Sequence, residues 1–326
     1  MPRPLTSAVA AALLPIALAA FPLFAGRYEI DLLSHIFVLG IFALSLELLV
    51  GQTGLVSFGH AAFMALGAYT TAFLLQTSGS RSFWLIALAS TAVAGAYALP
   101  VAVLSLRTRG VYFIMVTLAF AQLVYCVFHD TKVGMGSDGM YLTGVPQISL
   151  AGWTPFDVTE SLPFYYTALA MLIAVFVFLA LLARSRFGRA LAGIRLNEQR
   201  MRAAGFSTYP YKVATFVIAA MLAGLAGFLK ATKDGYVNPE MSSWHQSGAV
   251  LVMIILGGLG RLRGAVIGAF AFVLLQELFK NDALFGAFAR RWHLMLGVTI
   301  IASVLLLPAG LVGLPLRFRR RGRADG

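Results

Sequence analysis

The chain has 326 residues, 60% of them apolar and 12% charged, with 25 Lys and Arg against 13 Asp and Glu for a net charge of +12. A soluble domain carries roughly 25% charged residues, so this composition excludes water as the main solvent. The basic excess reads as loop charge beside a membrane, not as a nucleic-acid surface. The single Cys126 cannot close an internal disulfide, and no Cys/His pair has zinc spacing.

In chain order, long apolar runs lie near 5 to 25, 34 to 50, 58 to 76, 83 to 106, 110 to 128, 163 to 183, 213 to 231, 247 to 259, 264 to 279 and 292 to 312. A crossing takes ~20 apolar residues, so about ten spans consume most of the chain. The expectation is an all-α, polytopic transmembrane helix bundle filling 1–326 as one domain. The first run has a cleaved signal peptide as its alternative reading. The short runs at 247 to 259 and 264 to 279 have broken or re-entrant helices as theirs.

Ten crossings starting inside place Arg3, Arg107, Arg109, the 184–212 loop, Arg261, Arg263 and the tail on one side, where 17 basic residues face 8 on the other. Most acids lie opposite, among them Asp130, Asp138, Asp234 and Glu240. This positive-inside bias predicts both termini in the cytoplasm.

Pumps and ion-coupled carriers need charged groups within the bilayer. Only Glu47 and Glu277 fall inside expected spans, each near a span end. Snorkelling or a single interhelical pair is the plainer reading for both. The segment from Gly51 through Gly54, Ser57, Gly59 and His60 to Gly67 interrupts the apolar sequence with small and polar residues. An unbroken helix is disfavoured there, and irregular backbone at membrane depth survives only inside protein or along a water-filled cavity. Gly51, Gly54, Ser57, Gly59 and His60 are therefore candidate path-lining or hinge residues, with close helix packing as the alternative. His60 is more often a hydrogen-bonded structural histidine than a gate. A second cluster, Gly257-Gly258-Leu259-Gly260, is a like candidate, followed by Gly264 and Gly268 in G-x-x-x-G packing geometry. Both clusters precede an inside-to-outside span, which hints at an internal repeat.

The 184–212 loop carries Arg184, Arg186, Arg189, Arg195, Arg200, Arg202 and Lys212 with Glu198 as its one acid. Leu191, Ile194 and Met201 recur at helical spacing, and Ala203-Ala204-Gly205 supplies a small surface and a stop. The arginines follow from sidedness alone. Asn197-Glu198 and the small run do not, and they point to a shaped contact with lipid headgroups or a partner groove. No Gly-Lys dipeptide occurs, so the chain holds no phosphate cradle of the G-x-x-x-x-G-K type, and no catalytic constellation is apparent.

These motifs together resemble a known family. Gly54-Leu55-Val56-Ser57-Phe58-Gly59-His60-Ala61, Arg109-Gly110-Val111-Tyr112-Phe113, Gly136-Ser137-Asp138-Gly139, Ile194-Arg195-Leu196-Asn197-Glu198 and Gly257-Gly258-Leu259-Gly260 closely resemble the permeases of branched-chain amino acid ABC importers, of the LivM type. The likeness spans nearly the whole chain. It implies a bacterial inner-membrane, multi-pass subunit that is not an enzyme. It would be paired with a second, LivH-type permease, two cytoplasmic ATPase subunits that hold the ATP and Mg, and a periplasmic binding protein. The resemblance casts 184–212 as the coupling loop, with Asn197, Glu198, Ala203, Ala204 and Gly205 docking on the ATPase and Glu198 pairing with a basic group there. Arg200 and Arg202 depart from the apolar or acidic residues of many relatives. A secondary transporter or channel, a membrane enzyme using the 129–162 loop, and a urea or short-amide importer permease are the alternatives.

Overall fold

The computed structural model describes residues 15–313 apart from 78, 80, 151, 152, 157–159, 308 and 309. Most of the expected first run lies outside the described residues; 15–20 are helical. The bundle is built from α1 (Arg27–Thr53), α2 (His60–Thr77), α3 (Phe83–Ser105), α4 (Val111–Asp130) and α5 (Ser161–Arg184). Two short helices, α6 (Arg186–Leu196) and α7 (Glu198–Ala203), lead into α8 (Thr208–Asp234), α9 (Trp244–Gly257), α10 (Leu262–Lys280) and α11 (Trp292–Leu306). Seven of the described helices are long and apolar enough to cross a membrane; α2 and the shorter α9 are not among them.

The extreme apolarity of α1 has a physical reason: it is the central post. From Ile36 to Leu49 nearly every side chain is buried, and α8, α5, α10 and α9 all pack on it. A helix apolar all round is a helix surrounded on all sides. The hydroxyls carried into the bundle by Ser34, Thr53, Thr71, Thr215 and Thr232 donate back to carbonyls of their own helices, which removes the cost of burying them.

The seam that α8 makes with α2 and α3 was not singled out from the sequence. Gly67 lies on the Gly224 carbonyl, Gly227 on the Met64 carbonyl, and Gly224 against Ala94 and the Ser90 carbonyl, so none of these glycines has room for a Cβ. Without hydrophobic driving force between spans, such small-residue contact is what lets backbones approach and dispersion accumulate.

The opposite end from the basic loop carries the only described strands. The α4–α5 connection contributes β1 (Met140–Tyr141), which pairs antiparallel with β4 (Tyr236–Val237) of the α8–α9 connection. A second ladder joins β2 (Ile148–Leu150) to β3 (Trp153–Phe156). The all-α expectation therefore holds for the bundle, and its loops are stitched by short sheet ladders.

Candidate functional site

At the basic end the chain turns twice. Ser185 opens α6 by accepting a hydrogen bond from the Gly188 amide at 3.2 Å, and α6 buries Leu191 and Ile194 toward the bundle. Asn197 then ends α6 and caps α7: its Oδ1 accepts from the Arg200 amide at 2.9 Å, the standard task of an N-cap. Gly205 closes α7 in the left-handed region at φ +86°. Its amide donates to the Arg202 carbonyl and the Phe206 amide to the Met201 carbonyl, which is a Schellman stop. The result is a compact elbow. Its tip, Ala203-Ala204-Gly205, is exposed, flanked by Leu196 at 87% and Phe206 at 43% exposure.

Glu198 is spent on this geometry. One oxygen accepts from Lys212 Nζ at 2.8 Å, Arg202 Nη2 at 2.6 Å and Thr208 Oγ1 at 2.9 Å. Burial pushes the carboxyl up, but the bonds from Lys212, Thr208 and Arg202 outweigh it and hold it at about 2. Three donors of the same chain thus converge on this one oxygen. Glu198 pins α7 to the start of α8, and Arg202 is one of its clamps.

Arg195 connects the elbow to both glycine clusters. Its guanidinium donates to the Gly51 carbonyl near the end of α1, and Gly260, at φ +81°, lies against the same guanidinium. A cation there also meets the negative end of the α1 dipole. Gly51 leaves space for Glu47 one turn earlier, and the Glu47 carboxylate faces the Gly260–Arg261 turn. Glu47 is fully buried, so the snorkelling expected for it is wrong: the central position of α1 leaves no route to an interface. Glu277 does make one interhelical pair, accepting from the Tyr28 hydroxyl. Lys280 sits 4.6 Å from the Trp292 ring centre.

The first glycine cluster is irregular backbone at depth. Gly54 ends α1 at φ +75° with its amide on the Val50 carbonyl at 3.0 Å. The chain then turns back into the bundle, so that α2 begins with His60 2.8 Å from Ser45 Oγ. His60 stacks on Phe42 and meets Phe63 edge-on; it is a hydrogen-bonded core histidine. Gly59 rests on the Thr117 carbonyl of α4, and Ser57 accepts from the Gly59 amide at 3.3 Å. Around Ser57, Gly59, Thr117 and Phe216 the space is too tight to admit a water. In the second cluster Gly258 breaks α9 at φ +119°, while Gly257, Gly264 and Gly268 bring α9 and α10 into backbone contact. The G-x-x-x-G pair packs within the chain.

Comparison with known proteins gives this arrangement relatives. Residues 29–304 match the family model described as branched-chain amino acid transport system / permease component. The chain is 30% identical to the high-affinity branched-chain amino acid transport system permease protein LivM of Salmonella typhimurium, covering 97% of this chain and 77% of that one. The Escherichia coli K12 LivM is 29% identical over the same shares. The Salmonella typhimurium permease LivH is 24% identical, covering 84% of this chain and 90% of its own. No solved structure matches.

Proposed function

The chain belongs to the family of permease components of branched-chain amino acid transport systems, and from that premise we propose that it forms half of the translocation path of an ATP-driven importer. Its opposite half is a related permease, in keeping with similarity to both LivM and LivH. Two ATPase subunits bind the basic end, which is cytoplasmic, and a secreted binding protein delivers a branched-chain or related amino acid to the other end. The chain crosses the bacterial inner membrane about ten times with both termini inside, α2 and α9 serving as the short or broken members.

The elbow carries this reading. A tip of Ala203, Ala204 and Gly205 lets a partner surface approach closely, Leu196 and Phe206 offer it apolar area, and Asn197, Gly205 and Glu198 fix the tip's shape. ATP-driven motion of the elbow passes through Arg195 to the Gly51 end of α1 and the Gly260 turn, and these two glycine breaks act as hinges. No covalent step is asked of the chain; the ATPase subunits supply ATP and Mg.

Co-expression with two ATPase subunits tests the reading. The ATPases co-purify with the wild-type chain, and Ala204→Trp/Gly205→Val releases them while the permease stays folded. Retention of the ATPases by that variant overturns the docking assignment. A carrier driven by an ion gradient is the second reading, favoured by the buried carboxylate of Glu47. It requires uptake by the chain alone in liposomes, abolished by Glu47→Gln. Competition of leucine uptake by urea or short amides separates the substrate classes.

A further inference from the structure

The outward faces of the long helices are not alike. On α5 they show Ile173, Val177, Phe178 and Leu181, on α3 Leu85, Leu88, Val93 and Leu99, and on α11 Leu294, Val298, Ile301 and Leu305. These suit lipid tails. The hydroxyls of Thr91 and Thr167 on these helices donate back to their own carbonyls.

The face of α4 also shows Met115, Leu118, Leu123 and Val127, but a carboxamide and a thiol interrupt it. Gln122 is exposed and donates to the Sγ of exposed Cys126 at 3.7 Å. Tyr125 donates to Glu240 at 3.3 Å, tying α4 to the turn before α9, and Trp244, His245 and Gln246 are exposed in the first turn of α9. The connections above this strip are joined by the β1–β4 ladder.

Its depth follows from contacts. His60 is level with Ser45, about 12 Å along α1 from Thr53 at 1.5 Å per residue. Gly59 rests on Thr117, so Gln122 stands about 20 Å from the basic end, inside a hydrocarbon layer about 30 Å thick. The Ala61 amide donates to Ser247 Oγ at 3.0 Å, which sets Gln246 and His245 just above the level of His60. Polar side chains at that depth face a cavity or a partner, because lipid offers them no hydrogen bonds.

We propose that Gln122, Cys126, Glu240, His245 and Gln246 form the water-exposed wall of the solute path, turned toward the second permease. The carboxamides, imidazole and carboxylate suit a small polar solute such as a zwitterion. The inference rests on the two-permease reading above. It places the solute at this outer face of the chain, while the glycine breaks move behind it.

The native cysteine makes the test direct. In membranes holding the full transporter, Cys126 is treated with a charged, water-soluble methanethiosulfonate. In a Cys126→Ser background, Gln122→Cys and Ile173→Cys compare the strip with the lipid face of α5 at nearly the same depth. Cys126 and Gln122→Cys are modified at least tenfold faster than Ile173→Cys, and leucine delivered by the binding protein changes their rates. Equal rates overturn the proposal. So does a Cys126 that reacts in the isolated chain but not in the assembled transporter, because the strip is then a dry interface. Gln122→Leu lowers leucine uptake at least tenfold while the ATPases still co-purify; unchanged uptake also counts against it. Failure of ATPase co-purification would instead sink the importer reading and leave the labelling result intact.

Discussion

The seam of α8 against α2 and α3 and the elbow at the basic end are held by opposite means. In the seam, Gly67, Gly224 and Gly227 bring backbones together with no charge and no room. In the elbow, Glu198 gathers Lys212, Arg202 and Thr208 around one oxygen while the tip stays bare. The seam has one tolerated packing, because every added atom collides with a carbonyl. The elbow has a fixed internal frame and an unfilled outer surface. A part that must stay rigid is built from dispersion, and a part that must be gripped by another protein is built from charge inside and small residues outside.

The sharpest way to break the comparison is to put volume into the seam. Gly227→Leu forces a side chain onto the Met64 carbonyl. Overpacking costs up to ~3 kcal/mol even where side chains can shift, and backbone cannot. The expected outcome is loss of folded permease, seen as aggregation on size-exclusion chromatography in detergent. A monodisperse variant would mean that the seam yields more readily than its geometry implies.

Gly205→Val attacks the elbow without touching the seam. Nothing crowds the position, but φ +86° is closed to a β-branched residue. The permease stays monodisperse and its retention of ATPase subunits falls at least tenfold in a pull-down. Glu198→Gln is milder, because the amide keeps its volume and one acceptor while losing the charge that holds Lys212 and Arg202. ATPase retention falls several-fold, and hydrogen exchange of the α7 amides quickens. The sign of the pH dependence follows from the carboxyl lying at about 2 against its ordinary 4.5. The lock is complete above about 4.5 and is lost only as pH falls toward 2. After correction for intrinsic rates, exchange in α7 is therefore flat from pH 7 to pH 5.

What could be read without coordinates divides along the same line. Apolar runs announce helices because a span must satisfy its own backbone, and Gly264 and Gly268 announce packing by their spacing. The stop at Gly205 is local and legible for the same reason, whereas the N-cap role of Asn197 emerges only from the structure. The α8 seam was missed although Gly224, Gly227 and Ala220 carry the small-residue signal, because a glycine in an apolar run says nothing of which helix it will meet. The clamp on Glu198 is not legible, because two of its three donors, Thr208 and Lys212, lie ten and fourteen positions away in sequence. The strip on α4 was invisible for a plainer reason: one Gln in a span acquires meaning only when the surface around it is known.

Arg195 joins the two regions, and its replacement gives the smallest and most informative effect. Arg195→Ala leaves Asn197, Glu198 and the tip untouched, so ATPase retention is unchanged. It removes the donor to the Gly51 carbonyl and the group lying against Gly260. A hydrogen bond from a charged group contributes about 1.5 to 3 kcal/mol; exposure and the mobility of a long side chain bring this site below that range, to about 0.7 kcal/mol. If motion travels along this contact, leucine uptake per ATP hydrolysed falls about threefold while hydrolysis continues. Uptake and hydrolysis falling together would place the link elsewhere, through the buried Leu191 and Ile194 of α6, and the rigid seam and the gripped elbow would then be coupled by packing and not by this one guanidinium.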